Sequence, residues 1–359
     1  MTSKEKLLHN FPCSGLSKYI WPMSHPPTDH KISQPVHWWP ALRLLLYVLL
    51  ATVLVLGRDH YVLGTGLILL RWVLPLLALI WCWRQRKRSK SLLLKTGCLV
   101  LLLMSPVEWL YGYSQHERLS KPEGQYGLSL LSFNLYFKNS NPKETIRMIR
   151  QESPDMILLQ EFTHIWQAAL HPALLAEYPH FKLFPRRGAY GLAFYSRYPI
   201  DDYELLSLPK SPFYAQRLDL RIDGRMVGVI NGHFASPAIA VEHPDDFLHY
   251  YADNFALRQQ QIDSIGVWSR EQDYTLQVLG GDLNTSKLDP LYRHLRRDWV
   301  DMNDGLFELG SPTFPQGHDA RPLLTLDYLL LKGQATRQEV KTIAVPGSDH
   351  YALLGRLVF

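Results

Sequence analysis

The sequence predicts an α/β domain over residues 127–359, with two mixed β-sheets packed together and helices outside, preceded by three membrane-spanning helices. Three observations carry this. Three apolar runs crowd into positions 38–112. From Gly127 onward, short apolar runs of strand length alternate with longer stretches at helical spacing. Two of the strand-like runs, 215–222 and 226–234, follow each other with no helix between them, which points to antiparallel pairing beside the parallel crossovers.

Residues 1–37 form a polar tail containing Lys4, Lys6, Lys18 and Lys31. The apolar runs at 38–56, 60–83 and 92–112 each hold about 20 residues, enough to cross a hydrocarbon core of about 30 Å. Trp38, Trp39, Trp81, Trp83, Trp109 and Tyr111 fall near their ends, where amphipathic rings favour the membrane interface. No small-residue cleavage pattern follows an apolar core, so a removable signal peptide fits poorly. The loop RQRKRSKS after the second run carries Arg84, Arg86, Lys87, Arg88 and Lys90, whereas the loop after the first offers Arg58 against Asp59. Basic loops stay in the cytoplasm, so the N-terminus is expected inside and the domain after the 113–126 linker outside. The expected location is the cytoplasmic membrane, multi-pass, with an extracytoplasmic catalytic domain.

Charge divides the same way. Residues 1–120 carry 14 Lys+Arg against 5 Asp+Glu, and residues 121–359 carry 24 against 28. A non-specific nucleic-acid binder needs a basic stripe to displace counterions, so an acidic domain disfavours that class. All three cysteines lie in the first third, leaving the domain with neither a disulfide framework nor a thiolate metal site.

Within the domain, GLSLLSFNL (127–135) reads as a buried strand. A helix follows in NPKETIRMIRQES, with Asn141 as N-cap, Pro142 at the first helical position and Glu144 at the capping-box position. DMILLQE (155–161) is a second strand, and THIWQAALHPALLAEY a helix, whole or loop-broken. Strands are expected at 190–196, 215–222 and 226–234, then a long helix at 246–271. Further apolar runs at 274–284, 323–331 and 350–359 complete the set.

Polar residues terminate or open these runs. Asn134 ends the first strand, Glu161 the second and His233 the strand VINGHF. Asp282 and Asn284 follow VLGG, Asp327 interrupts LLTLDYLLL, and Asp349-His350 precede the last strand. Taken singly, most have ordinary explanations as turn, cap or core residues. Asp327 is harder to dismiss, because an ionised carboxylate in a buried strand is expensive unless paired. Strand ends in a mixed α/β domain converge on one rim, so these groups can meet. Their composition suits a divalent-cation phosphoester site. A hard cation such as Mg²⁺ takes oxygen ligands and keeps its waters. The chemistry needs an activated water and stabilised phosphoryl charge. A histidine oriented by a carboxylate serves as general base or as charge-stabilising donor.

The strings SFNL, LLQE, GLAFYSRYPI, NGHF, GGDLN, PTFP, LDYLL and SDH, in this order over 128–359, resemble the endonuclease/exonuclease/phosphatase superfamily. The resemblance implies a four-layer αββα sandwich and cleavage of phosphoesters with Mg²⁺ or Mn²⁺. It places Glu161 as principal metal ligand, with Asn134 and Asp349 on the metal side. It gives His233 and Asn284 to the phosphate, Asp282 to the attacking water, and Asp327 to the pairing of the catalytic histidine, His350. DNA-repair members carry a tyrosine directly after the glycine matching Gly188, where this chain has Ala189, with Tyr190 one position late. An abasic-site nuclease is thereby disfavoured. The membrane anchor is similar in architecture to membrane-bound bacterial members. The expected function is a metal-dependent phosphoester hydrolase, phosphatase or phosphodiesterase, acting outside the cytoplasm on a lipid-linked or other envelope phosphate. The alternative is an extracytoplasmic nuclease, and a non-catalytic scaffold is the third class. Oligomeric state is left open.

Overall fold

A computed structural model describes residues 127–359 except 272, 288, 304–311 and 318–321, with the backbone alone at 337 and 338. The three expected spans at 38–56, 60–83 and 92–112 lie outside the described residues, within which no helix is long and apolar enough to cross a membrane.

The chain runs through β1 (Gly127–Asn134), α1 (Pro142–Glu152), β2 (Met156–Gln160), α2 (His164–Leu174), β3 (His180–Phe184) and β4 (Leu192–Ser196). It continues through β5 (Ile200–Ser207), β6 (Tyr214–Ile222), β7 (Arg225–His233), the short α3 (Ile239–Glu242), α4 (Phe247–Trp268) and β8 (Leu276–Asp282). Then come α5 (Pro290–Leu295), β9 (Val300–Asp301), β10 (Asp327–Gly333), β11 (Thr336–Ile343) and β12 (Ala352–Val358). One sheet has the order β11-β12-β1-β2-β4-β3 and the other β5-β6-β7-β8-β10-β9. Only β1/β2 and β7/β8 pair in parallel, so both sheets are mixed as expected.

Three apolar layers hold four structural ones together. Leu130 and Leu158 from the first sheet meet Val229, Val278 and Leu329 from the second. Leu131, Phe133 and Leu159, on the first sheet's outer face, pack on Met148 and Ile149 of α1 and Trp166 and Leu170 of α2. Ile230, Leu279 and Leu330 do the same against Phe255 and Ile262 of α4 and Leu291 of α5. Side chains two apart on a strand share a face. The inter-sheet face of β1 therefore reads Leu128, Leu130, Ser132, Asn134, that of β7 reads Val227, Val229, Asn231, His233, and that of β2 ends at Gln160. Each is dry at one end and polar at the other. Across the gap, Gln160 Nε2 donates to Asn231 Oδ1 at 2.7 Å, and Asn231 Nδ2 donates to Gln216 Oε1 at 2.9 Å. This polar seam, fully buried, fixes how the sheets lie on each other just beneath the rim.

Some local expectations change. Asn141 precedes α1 but its side chain makes no cap hydrogen bond, and Glu144 pairs with Arg147 instead of returning to the cap. Asn141 spends its own N–H on Asn139 Oδ1, which draws it into the loop rather than over the helix end. The 190–196 strand starts only at Leu192, after a 3₁₀ turn at Gly188–Tyr190. The 323–331 run becomes strand only at Asp327, because Leu324 is held in a separate bridge to Phe314.

Candidate active site

Strand pairing brings the predicted residues to one rim. Asn134 pairs with Gln160, which puts Glu161 just past it. His233 pairs with Asp282 across the parallel β7/β8 ladder, and Asp282 pairs with Asp327 across the antiparallel β8/β10 ladder. β12 runs antiparallel to β1 with Leu353 opposite Ser132, so Asp349 and His350 enter at the same end. The tight approach of β7 to β8 needs a glycine at 281. Its φ is +136°, and a Cβ there would lie 1.9 Å from the Gly232 carbonyl oxygen.

Asn134 sits between the two sheets' carboxylates. Its Nδ2 donates to Glu161 Oε1 at 3.1 Å and to Asp282 Oδ2 at 3.0 Å, while its Oδ1 accepts from the Tyr136 amide at 2.9 Å. One amide thus holds two like charges in place. Glu161 adopts φ +57°, a left-handed backbone that costs on the order of 1–3 kcal/mol for a non-glycine residue and clusters at functional sites. Its other oxygen accepts from the Phe137 amide at 2.7 Å. Ser348 Oγ donates to the Asn134 carbonyl at 2.8 Å and accepts from the His350 amide at 3.0 Å, tying the last segment to β1.

On the second sheet, the Asn284 amide donates to Asp282 Oδ1 at 2.9 Å, and Asn284 Nδ2 donates to the Phe234 carbonyl at 2.9 Å. Asn284 therefore keeps one side-chain N–H for another acceptor. His233 Nε2 lies 3.6 Å, and His350 Nε2 3.8 Å, from Asp282 Oδ2. His350 Nδ1 sits 2.8 Å from Asp327 Oδ2. Asp327 is fully buried, and its amide and that of Leu326 donate to Thr313 Oγ1.

These contacts set the charges. Burial alone would lower His350, but Asp327 and Asp282 outweigh it and push the imidazole up to about 10. Burial lowers His233, with Asp282 opposing. Burial raises the Asp282 carboxyl above the ordinary range, although His350 pulls it down. Asp349 is also raised, by burial first and by the neighbouring Glu161 as well, against the pull of His350. Two buried carboxylate oxygens, Asp327 Oδ1 and Asp349 Oδ1, have no hydrogen-bond partner.

Such a surplus of buried carboxylate oxygen suits a cation. One ligand atom each from Asp282, Asp327 and His350 lie within 4.8 Å of one another. The His350 and Asp327 atoms that bond each other at 2.8 Å are already committed, and an imidazolium repels a cation. The all-oxygen set of Glu161, Asp349 and the Asn134 side-chain oxygen is the better match to a hard divalent ion.

Several supporting residues carried no signal in the sequence. Arg258 of α4 is almost fully buried, and its Nη1 donates to the Asn284 carbonyl and to Asp289 Oδ2, each at 2.9 Å. It clamps the turn that carries Asn284, whose φ is +47°. Within α4 it falls in a polar run, LRQQQ, that looks solvated. Aromatic rings line the two histidines: Phe213 lies edge-on to His233 with centroids 4.9 Å apart, Tyr190 edge-on to Phe213 at 5.1 Å, and Phe314 5.0 Å from His350.

The same architecture occurs in solved structures at low sequence identity. TDP2 of D. rerio, complexed with single strand DNA product, is 14% identical, with a TM-score of 0.52 over 64% of this chain and 98% of that one. An endonuclease/exonuclease/phosphatase of Bacteroides vulgatus is 18% identical, with a TM-score of 0.51 over 65% and 99%. At such identities the likeness is one of fold. No curated protein matches the chain. The Endonuclease/Exonuclease/phosphatase family, however, matches residues 131–350, from the middle of β1 to the histidine paired with Asp327. With more than half of its length so matched, this chain belongs to the endonuclease/exonuclease/phosphatase family, whose members hydrolyse phosphoesters.

Proposed function

We propose that the chain is a divalent-metal-dependent phosphoester hydrolase, anchored in the cytoplasmic membrane with its catalytic domain outside the cytoplasm. The observation that carries the chemistry is the convergence of four carboxylates, Glu161, Asp282, Asp327 and Asp349, and two histidines on one rim, with buried carboxylate oxygens left unmatched. Glu161, Asp349 and Asn134 would hold Mg²⁺ or Mn²⁺. A divalent ion held there would supply Lewis acidity to the phosphoryl group and offset charge that builds up during displacement.

The chain's own residues supply the rest. Asp282, raised by burial, is suited to orient the attacking water and accept its proton. His350 is an imidazolium at neutral pH, so it acts as a donor to phosphoryl oxygen rather than as the base. Asp327 holds that ring through Nδ1 and leaves Nε2 facing the Asp282 side. His233 and the free N–H of Asn284 add donors from the second sheet.

Membrane anchoring and sidedness rest on the apolar runs at 38–112 and the five cations at 84–90. The substrate is an envelope phosphoester, lipid-linked in the reading favoured here. A nuclease needs a basic groove, and the stretch RHLRR (293–297) does not supply one. Arg296 is buried there and helps lower the Asp301 carboxyl, which is a structural use of its charge. Turnover of lipid pyrophosphates, phosphoinositides and DNA by the full chain in detergent, with Mg²⁺ present, tests the reading. Hydrolysis of a lipid phosphate above DNA is expected. Preferential cutting of DNA would move the assignment to the nuclease.

A further inference from the structure

Exposed apolar side chains are concentrated at the site end of the sheets. Among the described residues eleven large hydrophobic side chains are exposed, and eight stand on segments that leave or enter that rim. Phe137 follows Asn134, and Tyr190 precedes β4, whose Leu192 pairs with Gln160. Leu323 and Leu324 approach Asp327 through the bridge to Phe314. The densest group lies just after His233: Ile239, Val241, Phe247 and Leu248, on α3 and the first turn of α4. Val241 is 71% and Leu248 64% exposed. Asn254 Nδ2 of α4 donates to the Ser236 carbonyl at 2.9 Å, which keeps this group beside the end of β7. The apolar lining continues inward through Tyr190 and Phe213 to His233, and through Phe314 to His350.

Apolar side chains gathered on a polar rim mark a contact surface. The sequence indicates what covers it. The third apolar run ends at Gly112, so 14 residues, 113–126, separate it from β1. Fully extended they reach about 46–50 Å. β1 starts at the end of the domain away from the site, and its eight residues span about 26 Å. The linker can therefore run the length of the domain and still let the rim meet the bilayer that holds the preceding runs.

We propose that the rim is a lipid-contacting surface, anchored by Ile239, Val241, Phe247 and Leu248, that takes an amphiphilic phosphoester from the bilayer with its apolar part between Phe213 and Phe314. The inference rests on the membrane-anchored hydrolase reading and deepens it. Glu242, Asp245 and Asp246 are exposed among the apolar anchors, so a zwitterionic surface suits this rim better than an anionic one.

The test uses the full chain in phosphatidylcholine nanodiscs, with Cys13, Cys82 and Cys98 replaced by Ser and a bimane label at Val241→Cys, Leu248→Cys or Val267→Cys. Val267 is 54% exposed at the far end of the same helix and serves as control. Nitroxide-labelled phosphatidylcholine should quench the label at 241 and 248 and spare 267. Equal quenching at all three sites, quenching at 267 alone, or failure of the chain to enter the discs would overturn the proposal. In parallel, Val241→Ser with Leu248→Ser should raise KM for a bilayer-embedded phosphoester about tenfold and leave that for a short-chain soluble ester unchanged. An unchanged KM on the embedded ester counts against the surface. Absence of hydrolysis of either ester defeats the hydrolase reading instead, while the quenching result still decides where the rim sits.

Discussion

Two clusters of buried charge meet along the chain just after Asn284, the rim group of Glu161, Asp282, Asp327, Asp349 and His350 and the group of Arg258, Lys287, Asp289 and Asp301, and they are built on opposite terms; the rim group is the first. In the second, the carboxylates are saturated. Asp301 accepts from Tyr292 Oη, Lys287 Nζ and the Asn303 amide at 2.8–3.2 Å, and Asp289 accepts from Arg258 and the Leu291 amide. Burial would raise Asp301, but Lys287, Arg296 and Tyr292 outweigh it and hold the carboxyl below its ordinary range. In the first, Asp282 and Asp349 are pushed up and two carboxylate oxygens have no partner. A buried cluster whose charges cancel holds the fold together. One left with excess carboxylate is arranged for something that arrives later.

The contrast is sharpest in turnover. Glu161→Gln should lower the rate about 10²–10⁴-fold with the melting temperature of the chelated protein little changed. His350→Ala should lower the rate per folded molecule as much while also destabilising the fold, because it leaves buried Asp327 without its partner. More than a tenth of the wild-type rate on the true substrate would remove those residues from the chemistry. Asp301→Asn should do the reverse. It strips Lys287 of its partner in a buried site, so urea unfolding should show a loss of about 3–5 kcal/mol, with turnover per folded molecule intact. A stability equal to wild type would erase the distinction between the clusters.

Acid and base should separate them more gently. Asp301 has a depressed folded pKa, so its contribution is present above the unfolded value of about 3.9 and is lost as pH falls through the folded one. His350 has a raised folded pKa of about 10, so its contribution is complete below the unfolded value and fades as pH rises towards 10. In chelated protein, Asp327→Asn should abolish much of the alkaline loss and leave the acid loss in place. Identical alkaline profiles for wild type and variant would show that the Asp327–His350 pair does not hold the proton.

Much of this was legible in sequence because it is local. Short apolar runs along β1, β2, β7 and β8 announce buried strands, and a polar residue ending such a run marks the rim. Asp327 stood out for the cost of burying it alone, and its partner His350 lies 2.8 Å away. What stayed hidden depends on distant pairings. The Gln160–Asn231–Gln216 seam joins three strands across two sheets, and Arg258 reaches from α4 to the Asn284 turn. No spacing along the chain encodes either. The 180–184, 200–207 and 336–343 strands were missed for another reason. All three are edge strands, and β3 and β5 carry mostly half-exposed, mixed side chains without a clean apolar period.

The central question is whether the rim, through Glu161, Asp349 and Asn134, holds a cation that the reaction needs. The direct measurement is phosphoester hydrolysis by the full chain after exhaustive treatment with EDTA, followed by titration of Mg²⁺, with Asp301→Asn run beside Glu161→Gln. The account predicts that chelation stops turnover, that Mg²⁺ or Mn²⁺ restores it in wild type and in folded Asp301→Asn, and that Glu161→Gln stays inactive throughout. Undiminished hydrolysis after chelation, or full recovery of Glu161→Gln with the metal, would contradict it.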